Sequence, residues 1–270
     1  MIRDLVAAAL AEDLGPLGDI TSSLLPADAH IHAVLVPRHD GVLAGRVLAH
    51  ETFLQVDGAT SVEWAASDGD RLKAGRPIAH VRGPLRSVLT AERTALNFLC
   101  HLSGIATLTR RYVDLAAPAR IRDTRKTTPG LRAVEKAAVR AGGGVNHRGN
   151  LSDGVLVKDN HLGGLSVEEA VERARRLWPG RTVQIECDTA DQVKAALVAG
   201  ADFVLLDNMT PDQVAACVSL VGGRCLVEVS GGVTLDTVAA YAAAGPDLIA
   251  VGAITHSAPL LDIGLDLDVA

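Results

Sequence analysis

From Arg120 onward the sequence alternates short aliphatic strands with helices, and this repeat leaves few folds open. Candidate strands are residues 120–125 (RIRDTR), 154–159 (GVLVKD), 182–187 (TVQIEC), 202–207 (DFVLLD), 224–230 (RCLVEVS) and 247–252 (DLIAVG). Helical runs such as SVEEAVERARRLW, ADQVKAALVAG, PDQVAACVSLVG and TLDTVAAYAAAG separate the later ones. Three of these end in Gly, a common residue just past a helix terminus. Late strands recur about every 22 residues, a compact βα spacing. Their Val/Ile/Leu content suits parallel strands covered on both faces. Aromatics make up only 3% of the chain against 48% hydrophobic residues, so the core must be aliphatic. Six units are fewer than the eight of a full barrel. A doubly wound open sheet would want a Gly-rich dinucleotide turn after its first strand, and none is present. The expectation is an incomplete α/β barrel of about six to seven strands.

The first hundred residues follow another pattern. A helix over 2–13 leads into the loop LGPLGDITSSLLP. Strand-like runs follow at 32–38, 40–49, 60–67 and 68–83, punctuated by Asp-Gly and Gly-Pro. This half reads as a small antiparallel sheet with helices. A long helix starts near Ser87 or Thr90, either an N-cap residue type, and carries Leu96, Leu99, Leu102, Ile105 and Leu108 at helical spacing. It is expected to reach about Leu115, with a break at Gly104. The alternating tail LLDIGLDLDVA is expected to return, over 257–270, as a strand to the first domain.

Net charge is −6, which disfavours a general nucleic-acid or membrane-surface binder. No apolar stretch approaches the roughly 20 residues that span a bilayer. The N-terminal apolar run is flanked by acids and reads as an amphipathic helix, not a signal peptide. Cys100, Cys187, Cys217 and Cys225 form no C-x-x-C pair, so no zinc site or redox dithiol is indicated. They read as buried thiols in a reducing, cytoplasmic compartment.

Barrel chemistry gathers where the strands end. Strand one ends in Arg125-Lys126, strand two in Lys158-Asp159-Asn160-His161, strand three at Glu186, strand four at Asp207-Asn208. Strand five runs into Ser230-Gly231-Gly232, and strand six into Gly252 and Ala-Ile-Thr-His-Ser. A charge at one strand end is ordinary, because strands stop at solvent; six polar ends in order are not. Strands one and two, with His147 and Arg148 between them, supply a cation-rich cluster in an acidic protein. Arginine forks suit carboxylates and phosphates. A surface salt bridge would explain any one of them, but only Asp123 and Glu135 accompany the cations between Arg122 and Arg148. Glu186 and Asp207 suit Mg²⁺ or sugar hydroxyls, although Asp207 could equally cap the next helix. The Gly elements of the last two strands suit a phosphate. Together these ask for a ligand with a phosphate, a sugar, a metal-bound polyphosphate and a carboxylate-bearing acceptor.

At these residues the sequence resembles the quinolinate phosphoribosyltransferases, or carboxylating nicotinate-nucleotide pyrophosphorylases. The run TRKTTPGLRAVEKAAVRAGGGVNHRGNLSDGVLVKDNHL carries the resemblance, with EDLGPLGDITS and AERTALNFLCHLSGIAT upstream and LLDNM, VEVSGG and VGAITHS downstream. It implies an N-terminal α/β sandwich domain (1–103) and an incomplete α/β barrel (104–256). It implies a homodimer in which Arg93 reaches the neighbouring active site. The implied reaction joins quinolinate to phosphoribosyl pyrophosphate with Mg²⁺, yielding nicotinate mononucleotide, pyrophosphate and CO₂. By motif, Arg93, Arg125, His147, Arg148 and Lys158 would hold the two acceptor carboxylates, and Thr124 would be a further substrate-binding residue. Lys126, Glu186 and Asp207 would serve the phosphoribosyl substrate and its Mg²⁺. Ser230, Gly231, Gly232, Gly252, Ala253 and His256 would bind phosphate. Lys126, Lys158, Glu186 and Asp207 are the implied catalytic set. Where the family often has Glu-x-Glu on the third barrel strand, this chain reads Gln184-Ile185-Glu186. A same-fold pyrophosphorylase acting on nicotinate or a molybdenum-linked substrate is the second reading. A carrier domain is the third, since DGDRLKAGRPIAHVRG has a biotinyl-like strand–turn pattern with Lys73 in the turn.

Overall fold

The computed structural model describes residues 1–267. Its first part runs α1 (Ile2–Leu14), β1 (His30–Pro37), β2 (Gly41–Val42), α2 (Arg46–Val56), β3 (Ser61–Trp64), β4 (Arg71–Leu72), β5 (Ala79–Pro84) and α3 (Leu85–Ala116). Then follow β6 (Arg120–Arg122), α4 (Arg132–Ala141), β7 (Val155–Val157), α5 (Asp159–Leu162), α6 (Val167–Leu177), β8 (Val183–Cys187) and α7 (Ala190–Val198). The chain closes with β9 (Phe203–Asp207), α8 (Pro211–Val221), β10 (Leu226–Ser230), α9 (Val238–Ala243), β11 (Leu248–Ala250), α10 (Ala253–His256) and β12 (Ile263–Leu267). Two compact units result. Among the described residues, one comprises 1–108, 140–143 and 258–267, the other 109–139 and 144–257.

The first unit holds a four-stranded antiparallel sheet in the order β12–β1–β5–β3. Strand β12 lies along β1, with Leu35 opposite Leu265 and Pro37 opposite Ile263. Residues 268–270 of the tail lie outside the described residues. Alternation along β1 and β5 puts Ala33, Leu35, Ala79 and Val81 on one buried face, where they pack with Phe53, Ala95, Leu96 and Leu99. The run 40–49, expected as strand, is a two-residue strand followed by α2. Gly45 takes a left-handed φ of 93°, turning the chain, and Arg46 starts the helix. Helix α3 begins earlier than expected, at Leu85, so Ser87 and Thr90 do not cap it. Their hydroxyls instead donate to Asp57 (2.7 Å) and Asp19 (2.9 Å). No break occurs at Gly104. A Cβ there would clash with the Pro259 carbonyl oxygen, so this glycine serves close approach of the tail. Lys73 bonds Asp40 at 2.6 Å, and β4 pairs with β2, so the lysine of the carrier-like turn is engaged rather than presented at a hairpin tip.

The second unit holds a six-stranded parallel sheet in the order β6–β11–β10–β9–β8–β7. Sequence neighbours β6 and β7 are its two edges, so the barrel stays open at that seam. One bridge, Arg122 to Val145, makes a rudimentary seventh strand beside β6. Reciprocal capping boxes start α6, α7 and α8, through Ser166/Glu169, Thr189/Gln192 and Thr210/Gln213. Thr210 therefore caps α8, and Asp207 is left for other work.

Register sorts the strands' side chains. Ile121, Val157, Val183, Ile185, Val204, Leu206, Val227, Val229 and Ile249 are buried on one face. Paired positions on the opposite face carry Arg122, Gln184, Glu186, Asp207, Glu228 and Ser230. The polar residues of four strands, β6, β8, β9 and β10, thus share one surface.

Candidate active site

That surface lines a cavity of about 540 Å³ in the second unit. Thr124, Arg125, Lys126, His147, Arg148, Lys158, Glu186, Asp207, Ser230, Gly231 and Gly232 all line it. Gly252, Ala253 and His256 stand at its border: a Cβ on Gly252 would lie 3.1 Å from both Lys126 Cδ and His256 Nε2. The Thr255 hydroxyl donates to the Lys126 carbonyl at 2.8 Å, tying this segment to the end of β6. Arg93 is exposed on α3, in the first unit.

The backbone of the cation loop is fixed from below. Thr127 N–H donates to the Arg125 carbonyl (2.9 Å), while the Arg125 Nε is buried with no hydrogen-bond partner. A buried orphan donor beside a cavity implies an acceptor supplied by a ligand. Arg148 donates to the Gly154 carbonyl at 3.1 Å. Burial first, then nearby Arg125, pulls Arg148 below the ordinary arginine value.

Asp123, fully buried, pins the loop. It accepts from the Lys136 ammonium, from Asn146 Nδ2 (2.5 Å) and from the His147 backbone N–H (2.7 Å). Lys136 is pushed down by burial, with Asp123 pulling it back. Across the cavity Lys158 pairs with Glu186. Asp207 accepts from Asn208 Nδ2 at 2.7 Å. Asn208 has a left-handed φ of 55° and its N–H donates to the Ser230 carbonyl at 2.9 Å. Gly231, at φ 102°, leaves room for this: a Cβ would clash with Asn208 Oδ1.

His147 enters the cluster as a neutral ring, a correction to its reading as a cation. Burial first, then Arg122, Arg148 and Lys136, lowers its pKa to about 3. Unfolded, it takes up a proton near 6.5; folded, it does not until about 3. The unfolded state therefore binds more protons in this window, and stability falls as pH falls. Between pH 6.5 and 5 this one group is expected to contribute a slope of up to about 1.4 kcal/mol per pH unit. Denaturant unfolding across that range checks it. His147→Gln should remove the slope, and an unchanged slope would contradict the assignment.

Sequence reasoning passed over Glu228, Leu156, Leu205 and Ala250, which also line the cavity. Glu228 has 0% exposure and accepts from Arg122 Nη1 (2.7 Å) and Gln184 Nε2 (2.8 Å). The Arg122 guanidinium also lies 5.7 Å from the centre of the Phe203 ring. The signal was a single acid inside an apolar strand, Leu-Val-Glu-Val-Ser, where alternation puts it beside Ser230. Among the described residues no group of three or more His, Cys, Asp or Glu side chains could by itself hold a metal ion.

Comparison with known proteins agrees with this architecture. Residues 19–103 match the N-terminal domain and residues 105–266 the C-terminal domain of quinolinate phosphoribosyl transferase. The carboxylating nicotinate-nucleotide pyrophosphorylase of Mycobacterium leprae is 45% identical, over 98% of this chain and 96% of that one. A probable enzyme of the same name from Bacillus subtilis is 40% identical, over 95% and 90%. The structure of the nicotinate-nucleotide pyrophosphorylase from Francisella tularensis superposes with a TM-score of 0.95 at 39% identity, covering 99% of this chain and 96% of that one. With both domain models matched in order and relatives aligned along nearly their whole length, this chain belongs to the quinolinate phosphoribosyltransferase family.

Proposed function

We propose that this chain transfers the phosphoribosyl group of phosphoribosyl pyrophosphate to the ring nitrogen of quinolinate. Nicotinate mononucleotide, pyrophosphate and CO₂ leave, on the de novo route to NAD. The observation that carries the reading is one cavity with two chemical sides. Arg125, Arg148 and Lys158 line it with cations; Lys126, Glu186, Asp207 and Ser230-Gly231-Gly232 line it with phosphate- and sugar-binding groups.

Arg125, with its orphan Nε, and Arg148 take the carboxylates, Lys158 supports them, and the neutral His147 contributes a ring N–H. Thr124 lies beside them. Ser230, Gly231, Gly232, Gly252, Ala253 and His256 take a phosphate. As pyrophosphate departs, positive charge grows on the ribose C1. Glu186 and Asp207 stabilise that charge and orient the ribose hydroxyls, while Lys126 stabilises the leaving oxygens. Attack by the pyridine nitrogen makes the ring a pyridinium; as CO₂ leaves, the electron pair of the broken C–carboxylate bond stays on the ring carbon beside the cationic nitrogen, and that carbon then takes up a proton from solvent. The protein's part is to hold both carboxylates away from water.

Mg²⁺ fits the donor set as a substrate-borne ion. Two carboxylates, one already paired with Lys158, do not make a cage, and Mg²⁺ commonly keeps one or two carboxylates plus substrate phosphates. Glu186 and Asp207 would hold it, and when bound it supplies charge neutralisation for the pyrophosphate. The working assembly is a homodimer in which Arg93 of one protomer completes the site of its partner. Four free cysteines suit a reducing, cytosolic setting. Among the described residues no helix is long and apolar enough to cross a membrane. Co-incubation with quinolinate, phosphoribosyl pyrophosphate and Mg²⁺ tests the reading. It predicts nicotinate mononucleotide; turnover of nicotinate in its place would favour the related pyrophosphorylase activity.

A further inference from the structure

We propose that Asn208 is a positioning residue for the phosphoribosyl side of the cavity, holding the Asp207 carboxylate in place beside the Ser230-Gly231-Gly232 turn. Among the described residues, Asn208 is the only one other than glycine with a positive φ, at 55°. A side chain in that region costs backbone energy, and such positions gather where geometry serves a ligand. Asn208 also lines the cavity. Its side chain is oriented at both ends. A carboxylate only accepts hydrogen bonds, so the Asn208 atom 2.7 Å from Asp207 Oδ2 is the amide nitrogen. The amide oxygen then lies over Gly231, in space that a Cβ on that glycine would take. The Asn208 backbone N–H donates to the Ser230 carbonyl at 2.9 Å. One residue thus ties the end of β9 to the turn after β10, by its backbone to Ser230 and by its side chain to Asp207.

The proposal rests on the reading of this side as the phosphoribosyl pyrophosphate site. Asp207 stands opposite Ser230 in register, so the carboxylate assigned to the ribose sits next to the turn assigned to the phosphate. With Oδ2 committed to Asn208, Oδ1 is the oxygen left for a ribose hydroxyl. Holding one oxygen restricts rotation of the carboxylate before the substrate arrives, so less ordering remains to be done on binding. Arg125, Arg148 and Lys158, on the acceptor side, stand outside this link.

The test is Asn208→Gly, which keeps the left-handed backbone and removes only the side chain. If Asn208 served the turn alone, glycine would suit the position as well and ligand binding would not change. The proposal expects the Kd for phosphoribosyl pyrophosphate with Mg²⁺, read by titration calorimetry, to rise by about tenfold in N208G, the loss of one oriented hydrogen bond. The KM for phosphoribosyl pyrophosphate should rise in step, while the Kd and KM for quinolinate stay within about twofold of wild type. A rise below about threefold for phosphoribosyl pyrophosphate, or an equal rise for both ligands, would overturn the proposal. The side-chain amide signal of Asn208 in the wild-type protein gives a second reading that needs no variant, and it decides the matter if N208G does not fold. Phosphoribosyl pyrophosphate with Mg²⁺ should shift that signal and quinolinate should leave it in place. A signal that phosphoribosyl pyrophosphate does not move, or that quinolinate moves equally, refutes the link. Wild-type protein that binds phosphoribosyl pyrophosphate but releases no CO₂ from quinolinate would defeat the proposed reaction, and the binding comparison would still decide the role of Asn208.

Discussion

Arg125→Ala is expected to abolish measurable turnover with both substrates saturating, a loss of at least about 10²–10³-fold in kcat. The reason is geometric. Arg125 leaves β6 at the cavity edge, its carbonyl is held by Thr127 N–H, and its buried Nε finds no protein acceptor. A donor kept unsatisfied in the free protein is already oriented for an anionic ligand, so little ordering remains to be done on binding. Arg125→Lys keeps the charge and loses the planar fork, and should recover only a small part of the rate. Steady-state kinetics at saturating quinolinate and phosphoribosyl pyrophosphate decide it. A near-normal kcat in the alanine variant would remove Arg125 from its assigned role.

Asp123→Ala is expected to cost about 3–5 kcal/mol of folding stability, because it leaves the Lys136 ammonium buried without its counter-charge. Asn146 Nδ2 and the His147 N–H lose their acceptor in the same step. Adding Lys136→Met should return most of the loss, since the apolar replacement needs no partner. Denaturant unfolding of the two single variants and the double closes the cycle. A single-variant loss below about 1 kcal/mol would show that solvent reaches this pair.

These two residues also show what the sequence could and could not disclose. Arg125 was readable because it lies in the loop that follows a strand, where a barrel concentrates its chemistry; the strand itself, expected over 120–125, ends at Arg122. The six βα units were readable from their spacing, and the open seam from their number. Asp123 and Lys136 were visible as residues but not as a pair. They are 13 positions apart, one just past β6 and one on α4, and only tertiary packing brings them together. Glu228 and Gln184, 44 positions apart, are a similar case. Strict alternation on β8 and β10 put both on the cavity face, but a strand read simply as buried hides its alternation. The helix at Arg46 was missed because Val47, Leu48 and Ala49 extend an aliphatic run that a short window cannot tell from strand. The early start of α3 was missed because Ser87 and Thr90 offered themselves as caps while their hydroxyls serve Asp57 and Asp19.

His147 changes the meaning of the cation cluster. Burial first, then the Arg122, Arg148 and Lys136 cations around it, lowers its pKa to about 3. The cavity's positive character comes from Arg125, Lys126, Arg148 and Lys158, with the imidazole as an oriented donor among them.

The central claim is that this cavity binds a dicarboxylate and releases one of its carboxyl groups during phosphoribosyl transfer. Quinolinate labelled at its 2-carboxylate, incubated with phosphoribosyl pyrophosphate and Mg²⁺, tests it most directly. The prediction is one labelled CO₂ and one pyrophosphate for each nicotinate mononucleotide formed. A mononucleotide that retains the label, or pyrophosphate released from nicotinate with no CO₂ from quinolinate, would contradict it.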